Sequence, residues 1–290
     1  MVVTYTLKKT EIERLIKEYA TGLVRERDIP YAKSYTIASD SDKVILNVYS
    51  KVVNNAYKVV VQGVKTDLFK QVTKYISSML SKTLNATIGS DESGKGDLFG
   101  PLVIACIYVN RNSVKSLVES GVRDSKKLSD KRIVQIYEGC LSNLDKEIVI
   151  ISPSKYNELY SSIQNVNKLL AWGHSKAIHN LLKRHKDNCK KIIVDKFSSY
   201  DGRLGYYFRD LPSQYEFVQI HKGEQFLPVA AASIVARYFF VKGIQRLKEK
   251  YKMAFPLGVN NKVKKVRCDF IDKYGGERLK EVAKISFKLK

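Results

Sequence analysis

Apolar and polar positions in the first 80 residues follow strand-like and then helix-like spacing. Residues 1–7 are rich in β-formers and predict a strand. From Ile12, apolar side chains recur at i, i+3, i+4 and i+7, the spacing of one helix face. A capping box formed by Thr10 and Glu13 would begin this helix. The pattern therefore predicts a strand followed by an amphipathic helix.

A strand-rich stretch comes next and leads into a second amphipathic helix. Val, Ile, Tyr and Thr dominate residues 34–39, 44–49 and 57–62, as strands prefer. A helix is predicted from about Thr66, because its apolar residues form one stripe that reaches Leu80. This order of elements is typical of a curved antiparallel sheet with helices on one face.

The pattern changes after a short polar linker at residues 81–85. Beyond it, predicted strands alternate with predicted helices, as in α/β folds. Strands are predicted at residues 86–91, 102–109, 147–152, 190–197 and 215–221, and helices at residues 130–141, 153–185 and 228–251. We therefore expect two domains, residues 1–82 and residues 86–290, of which the second is α/β.

Basic residues outnumber acidic ones throughout the chain. The sequence holds 51 Lys and Arg against 29 Asp and Glu, a formal net charge of +22. Residues 1–85 carry 14 basic and 8 acidic side chains, and residues 241–290 carry 15 and 5, so the second domain ends in a basic helical region. Because the excess spans both predicted domains, a polyanion such as nucleic acid is the expected partner.

The composition disfavours several broad classes of protein. The longest purely apolar run, residues 101–109, is far shorter than the roughly 20 residues that span a bilayer, so no membrane partner is expected. Charged residues near the N-terminus argue against a signal peptide. The 4 cysteines form no CxxC pair, which favours free thiols over a zinc site or a disulfide framework. We expect a cytoplasmic protein, with a monomer as the default.

The strongest local signal is an acidic, glycine-rich segment at the end of a predicted strand. Asp91 and Glu92 are adjacent, and neighbouring side chains on a strand point to opposite faces. Both could serve one metal only through a turn or a backbone carbonyl. Gly94, Lys95 and Gly96 follow, and such a loop offers amide donors and a positive charge to a ligand. Alone, the segment fits either an acidic turn or a metal and phosphate site.

Two more carboxylates lie near the ends of predicted strands. Asp195 follows the apolar residues 192–194, and Glu224 lies shortly before the helix that opens at Pro228. If these strands share a sheet, the acidic ends can meet at one edge, and an all-oxygen ligand set suits Mg²⁺ or Mn²⁺. Two such ions about 3.5–4 Å apart can support phosphodiester hydrolysis. On spacing alone, both residues could equally be ordinary loop acids.

Five motifs in the second predicted domain resemble those of the type 2 ribonucleases H, in the same order. They are DESGKGD with FGP at residues 91–101, DSKKLS at 124–129, WGHSKAI at 172–178, VDKF at 194–197 and VAAASIVAR at 229–237. The chain is most similar to ribonuclease HIII, because its N-terminal order of elements resembles that group's first domain and Glu224 stands where ribonuclease HII has Asp. One departure is Gly223, where the family commonly has Ala.

The resemblance implies a fold, an activity and a metal site. The implied fold is a ribonuclease-H-like α/β catalytic domain with an N-terminal α+β TATA-binding-protein-like domain that binds substrate. The implied reaction is endonucleolytic hydrolysis of the RNA strand of RNA–DNA hybrids with two Mg²⁺ or Mn²⁺ ions, leaving 5′-phosphate and 3′-hydroxyl ends. The implied catalytic and metal-binding residues are Asp91, Glu92, Asp195 and Glu224.

Further residues are candidates for substrate contacts. The resemblance implies that Gly94, Lys95 and Gly96 read the ribose 2′-hydroxyls of the RNA. The other candidates, each for a phosphate contact, are Lys126, His174, Lys176 and Arg237. Three of them have alternatives. Beside Lys126, Ser125 or Ser129 could merely cap the following helix; His174 could be structural, and Arg237 could pair with an acidic neighbour.

Two other functions are compatible with the sequence. The nearer one is ribonuclease HII-like incision at single ribonucleotides embedded in duplex DNA. The other is a hybrid-binding or DNA-binding protein without catalysis. The complete set of four carboxylates argues against the second alternative, because a pure binding protein has no need for clustered acids.

Overall fold

Residues 1–53, 55–83, 85–198, 202–209 and 211–287 are described by a computed structural model of the chain. The chain divides into two units. One comprises Met1–Asn85 with Asn110–Arg123, and the other comprises Ala86–Val109 with Asp124–Lys290. The sequence pattern placed residues 110–123 in the second domain, whereas in the structure this segment groups with the first unit.

The first unit is an antiparallel sheet with helices on one face. Its elements are β1 (Val2–Leu7), α1 (Lys9–Glu18), β2 (Leu23–Ile29), β3 (Ala32–Ala38), β4 (Lys43–Val53), β5 (Ala56–Gly63), α2 (Asp67–Thr83) and α3 (Arg111–Glu119). The strand order is β1-β5-β4-β3-β2. Apolar side chains from α1, α2 and alternate strand positions share one core, which includes the fully buried Leu7, Val72 and Ile76.

Three local predictions in this unit need correction. Helix α1 begins before Thr10, and Glu11, not Glu13, caps it by accepting a hydrogen bond from the Lys8 amide at 2.7 Å. Strand β2 was not predicted, because its central residues are charged and exposed and show no apolar alternation. Exposed charged side chains are typical of an edge strand, and β2 lies at the edge of the sheet.

The second unit is a mixed sheet with helices packed against it. Its elements are β6 (Thr87–Ser93), β7 (Leu102–Val109), α4 (Asp130–Ile136), β8 (Lys146–Ile151), α5 (Pro153–Ile163), α6 (Val166–His185), β9 (Lys191–Asp195), α7 (Gly202–Phe208), β10 (Glu216–Ile220), α8 (Leu227–Tyr251) and α9 (Asn261–Tyr274). The strand order is β10-β9-β6-β7-β8. Strands β10, β9 and β6 are parallel, so their carboxyl ends meet at one edge of the sheet.

The long helix predicted at residues 153–185 is two helices. Helix α5 ends at Gln164, which has a left-handed backbone (φ 50°), and Asn165 then caps α6 by accepting hydrogen bonds from two backbone amides. Asn at this position is a strong helix start signal that the apolar spacing across the break concealed.

Helix α8 lies directly on β6 and β7. A Cβ at Gly89 would lie 2.1 Å from the Pro228 carbonyl carbon, so only glycine lets the start of α8 approach the strand so closely. Among the helices in the described residues, α8 alone is long and apolar enough to cross a membrane, and 56% of its most apolar window is buried in the protein. Buried core helices of other proteins can be equally long and apolar. The search for purely apolar runs did not find α8, because Ser233 and Arg237 interrupt its apolar sequence.

Candidate active site

The register of the parallel strands brings two acidic residues to the same level of the sheet. Ser90 on β6 pairs with Val194 on β9, so the next residues, Asp91 and Asp195, are neighbours at the edge. Asp91 Oδ1 accepts a hydrogen bond from the Glu92 amide at 2.7 Å. Asp195 Oδ1 accepts one from the Gly223 amide at 2.8 Å, which places the adjacent Glu224 at the same edge.

Electrostatic coupling joins the four predicted carboxylates. Burial raises the pKa of Asp91 well above its ordinary value, and the charges of Glu92 and Asp195 raise it further. Burial also raises the pKa of Asp195, with further contributions from Glu92 and Glu224 that the Gly223 hydrogen bond opposes. The ionised forms of Asp91 and Asp195 are therefore disfavoured by burial and by neighbouring acids, as expected where a cation is needed to neutralise them.

Lys126 is a basic residue on which the charges of this acidic group act. Burial lowers the pKa of its ammonium, but the charges of Asp91, Asp195 and Glu224 outweigh burial, and the net shift is upward. Lys126 precedes α4 in a short 3₁₀ turn, Ser125–Lys127, and its backbone amide donates to the Asp124 side chain. Because the charges of three acids act on its ammonium, Lys126 lies near the acidic edge.

Asp91 and Glu92 diverge, as strand alternation requires. Asp91 shares the face of Gly89 that packs on α8, whereas Glu92 shares the face of Ser90 that packs on α6. Among the described residues, no three His, Cys, Asp or Glu side chains lie close enough together to bind a metal ion as they are placed. The donor chemistry still fits a divalent cation, since all four donors are carboxylates and their mutual repulsion would be relieved by it.

His174 is buried and links two residues of β6. Its side chain is 0% exposed and stacks on Phe197, with ring centroids 4.9 Å apart. Ser90 Oγ donates to the Ala105 carbonyl at 3.1 Å and lies 2.7 Å from His174 Nδ1, while His174 Nε2 lies 3.3 Å from Glu92 Oε2. The burial of His174 and the protein partners of both ring nitrogens fit the structural alternative better than a phosphate contact, and they place the ring beside the Glu92 carboxylate.

Lys176 lies two residues beyond His174 and therefore points to the other side of α6, since each helical residue advances about 100°. It is exposed, and its Nζ lies 5.1 Å from the Trp172 ring centroid. The structure thus places Lys176 away from the face of α6 that meets Glu92, and it does not support Lys176 as a contact near the carboxylates.

The glycine turn is shaped by its neighbours. Gly94 has a left-handed backbone (φ 88°), and a Cβ there would lie 2.2 Å from the Pro101 carbonyl oxygen. Lys95 Nζ donates to the Phe197 carbonyl and lies 4.0 Å from Glu92 Oε1. Around Gly96 a Cβ would meet open space. The turn therefore fixes Lys95 beside Glu92 and leaves the Gly96 backbone accessible.

Arg237 pairs with an acidic neighbour, which was the alternative to a phosphate contact. Its Nε and Nη2 donate to Asp130 Oδ1 at 3.2 and 3.1 Å. One turn earlier on α8, Ser233 Oγ accepts a hydrogen bond from the Ser125 amide at 3.3 Å. Both contacts hold the segment that carries Lys126, so the predicted direct role of Arg237 at a phosphate is not supported.

Comparison with known proteins agrees with these motifs. The family model described as Ribonuclease HII matches residues 88–290. A ribonuclease HIII from Protochlamydia amoebophila is 40% identical over 205 residues, which cover 71% of this chain and 67% of that protein. The chain belongs to the ribonuclease HIII family. A ribonuclease HIII from Staphylococcus haemolyticus is 32% identical over 99% of this chain and 94% of its own, so the family likeness includes the first unit.

Solved structures of ribonuclease HIII share the fold. The crystal structure of Bst-RNase HIII in complex with Mn²⁺ matches with a TM-score of 0.67 and 26% identity, covering 98% of this chain and 96% of that one. Aquifex aeolicus RNase H3 matches with a TM-score of 0.56 and 25% identity over 98% of this chain. The predicted ribonuclease-H-like α/β fold is thus confirmed, and the chain is a ribonuclease H, an enzyme that hydrolyses phosphodiesters.

The sequence did not reveal the residues that hold the side chains of the ribonuclease HIII site in position. Ser90 shares a strand face with Glu92 because the two are two residues apart, and this spacing was a usable signal. Phe197 belongs to a quoted motif but was given no role. Asp130 opens α4, where an acidic residue is expected for helix stability, and its pairing with Arg237 could be seen only in three dimensions.

Proposed function

We propose that this chain is an endonuclease that hydrolyses the RNA strand of RNA–DNA hybrids and leaves 5′-phosphate and 3′-hydroxyl ends. The observation that carries the proposal is the electrostatically coupled set of Asp91, Glu92, Asp195 and Glu224 at the carboxyl edge of β6, β9 and β10. This acidic edge belongs to a chain of net charge +22, a combination suited to holding cations beside a polyanion.

The four carboxylates are proposed as the ligands of two Mg²⁺ or Mn²⁺ ions. The Bst-RNase HIII structure named above is described as a Mn²⁺ complex, which supports a divalent requirement here. When bound, such ions supply an activated water and stabilise the leaving 3′-oxygen. The protein residues orient that chemistry: Gly223 fixes Asp195 through its amide, and His174 with Lys95 fixes Glu92.

Lys126 and the glycine turn are proposed as substrate contacts. The ammonium of Lys126 faces the carboxylates and would bind a non-bridging phosphate oxygen next to them. The open backbone at Gly96 is accessible to a ribose, whose 2′-hydroxyl distinguishes RNA from DNA. Gly94 and Lys95 set the shape of this turn and complete the predicted group.

The first unit is proposed as a TATA-binding-protein-like domain that binds the substrate. The strand registers align Thr4, Val60, Asn47, Ser34 and Arg27 in one row across the sheet, on the face opposite the helices. Among the described residues, Asn47 Oδ1 is a buried acceptor without a hydrogen-bond partner. Ser34 and Val60 in this row are also buried, whereas Thr4 and Arg27 at its two ends are exposed and can donate to a phosphate backbone.

The remaining parts of the proposal concern the setting of the enzyme. We propose an RNA–DNA hybrid as its partner, without a membrane, and a monomer in the cytoplasm. The hybrid fits the positive charge of both predicted domains, because counterion release drives such binding.

End-labelled RNA–DNA hybrid cleavage with Mg²⁺, Mn²⁺ or EDTA tests the proposal. Wild-type protein is expected to cut the RNA strand with either metal and not with EDTA. Asp91→Asn and Asp195→Asn are expected to lose this activity, whereas Glu158→Gln, which changes an exposed acid on α5, is expected to keep it. Cleavage by Asp91→Asn at the wild-type rate would refute the site.

A duplex that contains one ribonucleotide separates the alternatives. Poor incision there with strong hybrid cleavage supports the proposal. Efficient incision at the single ribonucleotide would instead indicate ribonuclease HII-like function. Hybrid binding without cleavage under either metal would indicate a binding protein.

A further inference from the structure

Two polar side chains on α8 hold the segment that carries Lys126. Ser233 Oγ donates to the Ala230 carbonyl at 2.9 Å and accepts from the Ser125 amide at 3.3 Å. Arg237 donates from Nε and Nη2 to Asp130 Oδ1. Ser233 and Arg237 are four residues apart, so they lie on one face of the helix and hold the segment at both of its ends.

Between these two anchors the chain forms the short turn that presents Lys126. Asp124 Oδ1 accepts from the Lys126 amide at 3.0 Å, and Asp124 Oδ2 lies 3.7 Å from Lys127 Nζ. Lys127 is thereby paired with Asp124, whereas the charges of Asp91, Asp195 and Glu224 act on the ammonium of Lys126, which places it near the acidic edge. The local contacts therefore distinguish two adjacent lysines and assign only one to the acidic edge.

Helix α8 also determines where this turn stands relative to the carboxylates. Its first residues pack on β6 at Gly89, two residues before Asp91. The same helix thus contacts the strand that carries Asp91 and, about one and a half to two and a half turns later, the segment that carries Lys126. A flexible, exposed turn would lose conformational entropy on placing one ammonium, and anchoring it in advance removes that cost from the reaction.

We propose that Ser233 and Arg237 are positioning residues, which act through Asp130 and the Ser125–Lys127 turn to hold the Lys126 ammonium at the carboxylates. The inference rests on the proposed function, because it assigns Lys126 to the phosphate beside the metals. Arg237 itself does not touch the substrate. Its two hydrogen bonds to Asp130 and its side-chain exposure of 24% describe a paired residue rather than a free cation.

A double-mutant cycle distinguishes positioning from general stabilisation. The variants are Lys126→Ala, Arg237→Ala and the pair, assayed by kcat/KM for hybrid cleavage and by the hybrid Kd without divalent metal. Lys126→Ala is expected to lower kcat/KM about 100-fold and Arg237→Ala about 10-fold, as for removed or displaced charge-assisted contacts. In the Lys126→Ala background, Arg237→Ala is expected to change kcat/KM by less than about twofold, because its effect passes through Lys126.

The salt dependence of binding gives a second readout. Lys126→Ala is expected to lower the slope of log Kd against log salt by about 1, the loss of one phosphate contact. Arg237→Ala is expected to lower the slope similarly, but not further when Lys126 is already absent. Exchange of the pair, Arg237→Asp with Asp130→Arg, is expected to recover part of the loss. Arg237→Lys provides a milder test if Arg237→Ala fails to fold.

Arg184→Ala is the matched control for this cycle. Arg184 binds Asp145 at 2.9 and 3.1 Å in the same unit, so its removal breaks a comparable pair away from the acidic edge. It is expected to change kcat/KM by less than about twofold at a temperature where the protein stays folded. Trp172 fluorescence reports whether each variant retains its fold.

Several results would overturn the inference. One is an equal loss from Arg237→Ala with and without Lys126, which would show a purely structural role. Another is wild-type activity and binding of Lys126→Ala. Failure of the proposed function appears differently, as absence of metal-dependent cleavage by the wild-type enzyme. In that event the cycle on hybrid Kd still decides whether Arg237 acts through Lys126.

Discussion

Lys284 buries an amine in a place that disfavours its charged form. Its side chain is 0% exposed, and its Nζ donates to the Gly100 carbonyl at 2.7 Å. The Lys284 amide also donates to the Leu98 carbonyl at 2.9 Å, so the residue fastens the end of the chain to the loop after the glycine turn. Burial lowers the pKa of Lys284 from 10.5 to about 7, although the charge of Asp97 opposes the shift.

This pKa shift makes folding stability depend on pH with a defined sign. Between about pH 7 and pH 10.5 the unfolded chain binds more protons at Lys284 than the folded chain does, so the free energy of unfolding rises with pH. At 1.36 kcal/mol per pKa unit, the buried amine destabilises the fold by about 4 kcal/mol at pH 7 and by less than about 1 kcal/mol at pH 10.

Lys284→Met removes the amine and keeps an unbranched side chain that is one atom shorter. The substitution leaves the Gly100 carbonyl without its donor, which costs about 1–3 kcal/mol at any pH. We therefore expect the variant to be about 2 kcal/mol more stable than wild type at pH 7 and about 1 kcal/mol less stable at pH 10. The stability difference should change sign between these two pH values.

Urea denaturation followed by Trp172 fluorescence measures this difference. Trp172 is the single tryptophan of the chain and lies on α6, in the same unit as Lys284, so its signal reports unfolding of that unit. Lys265→Met, which removes an exposed lysine on α9, controls for the loss of one positive charge. A constant difference between Lys284→Met and wild type from pH 7 to pH 10 would show that the reasoning is wrong.

Three further outcomes are expected. Asp91→Asn raises the free energy of unfolding at pH 7, because burial, Glu92 and Asp195 disfavour the ionised form of Asp91. This gain in stability shrinks toward about pH 4, where the carboxyl is also protonated in the unfolded chain. Urea denaturation at both pH values measures it. His174→Ala lowers kcat for hybrid cleavage about 10- to 100-fold. His174→Gln keeps more of the activity, because an amide side chain can bridge Ser90 and Glu92. Equal losses in the two variants would contradict the bridging role. The hybrid Kd rises steeply between about 50 and 200 mM salt, and a flat titration would contradict binding through basic residues.

Much of the acidic edge could be predicted from the sequence because it depends on strand ends. A buried apolar strand followed by an acid is visible at Asp91 and again at Asp195, and parallel pairing then places both at one edge. The direction in which each side chain points could not be predicted from the sequence. His174 and Lys176 lie in one quoted motif, yet only the packing of α6 on β6 shows that the first is buried and the second is exposed.

Elements without apolar periodicity were beyond the same reasoning. Strand β2 gains its place from backbone pairing with β3, and its exposed charges carry no strand signal. Segment 110–123 lies between two parts of the second unit in sequence, and its assignment to the first unit rests on packing of α3 against α2. Contacts between residues distant in sequence decide both cases, and one sequence contains no direct record of them.

The acidic edge is costly, and the rest of the second unit is built to tolerate that cost. Ionised Asp91 and Asp195 are disfavoured by burial and by neighbouring acids, so a cation or an ammonium nearby would stabilise them. Strand β7, next to β6, is buried along its whole length and supplies apolar stability without any charge. Helix α8 covers both strands and, through Ser233 and Arg237, also carries the segment that brings Lys126 to the acids. The helix that stabilises the sheet is thus the one that positions the opposing charge, and changes on its buried face should affect stability and catalysis together.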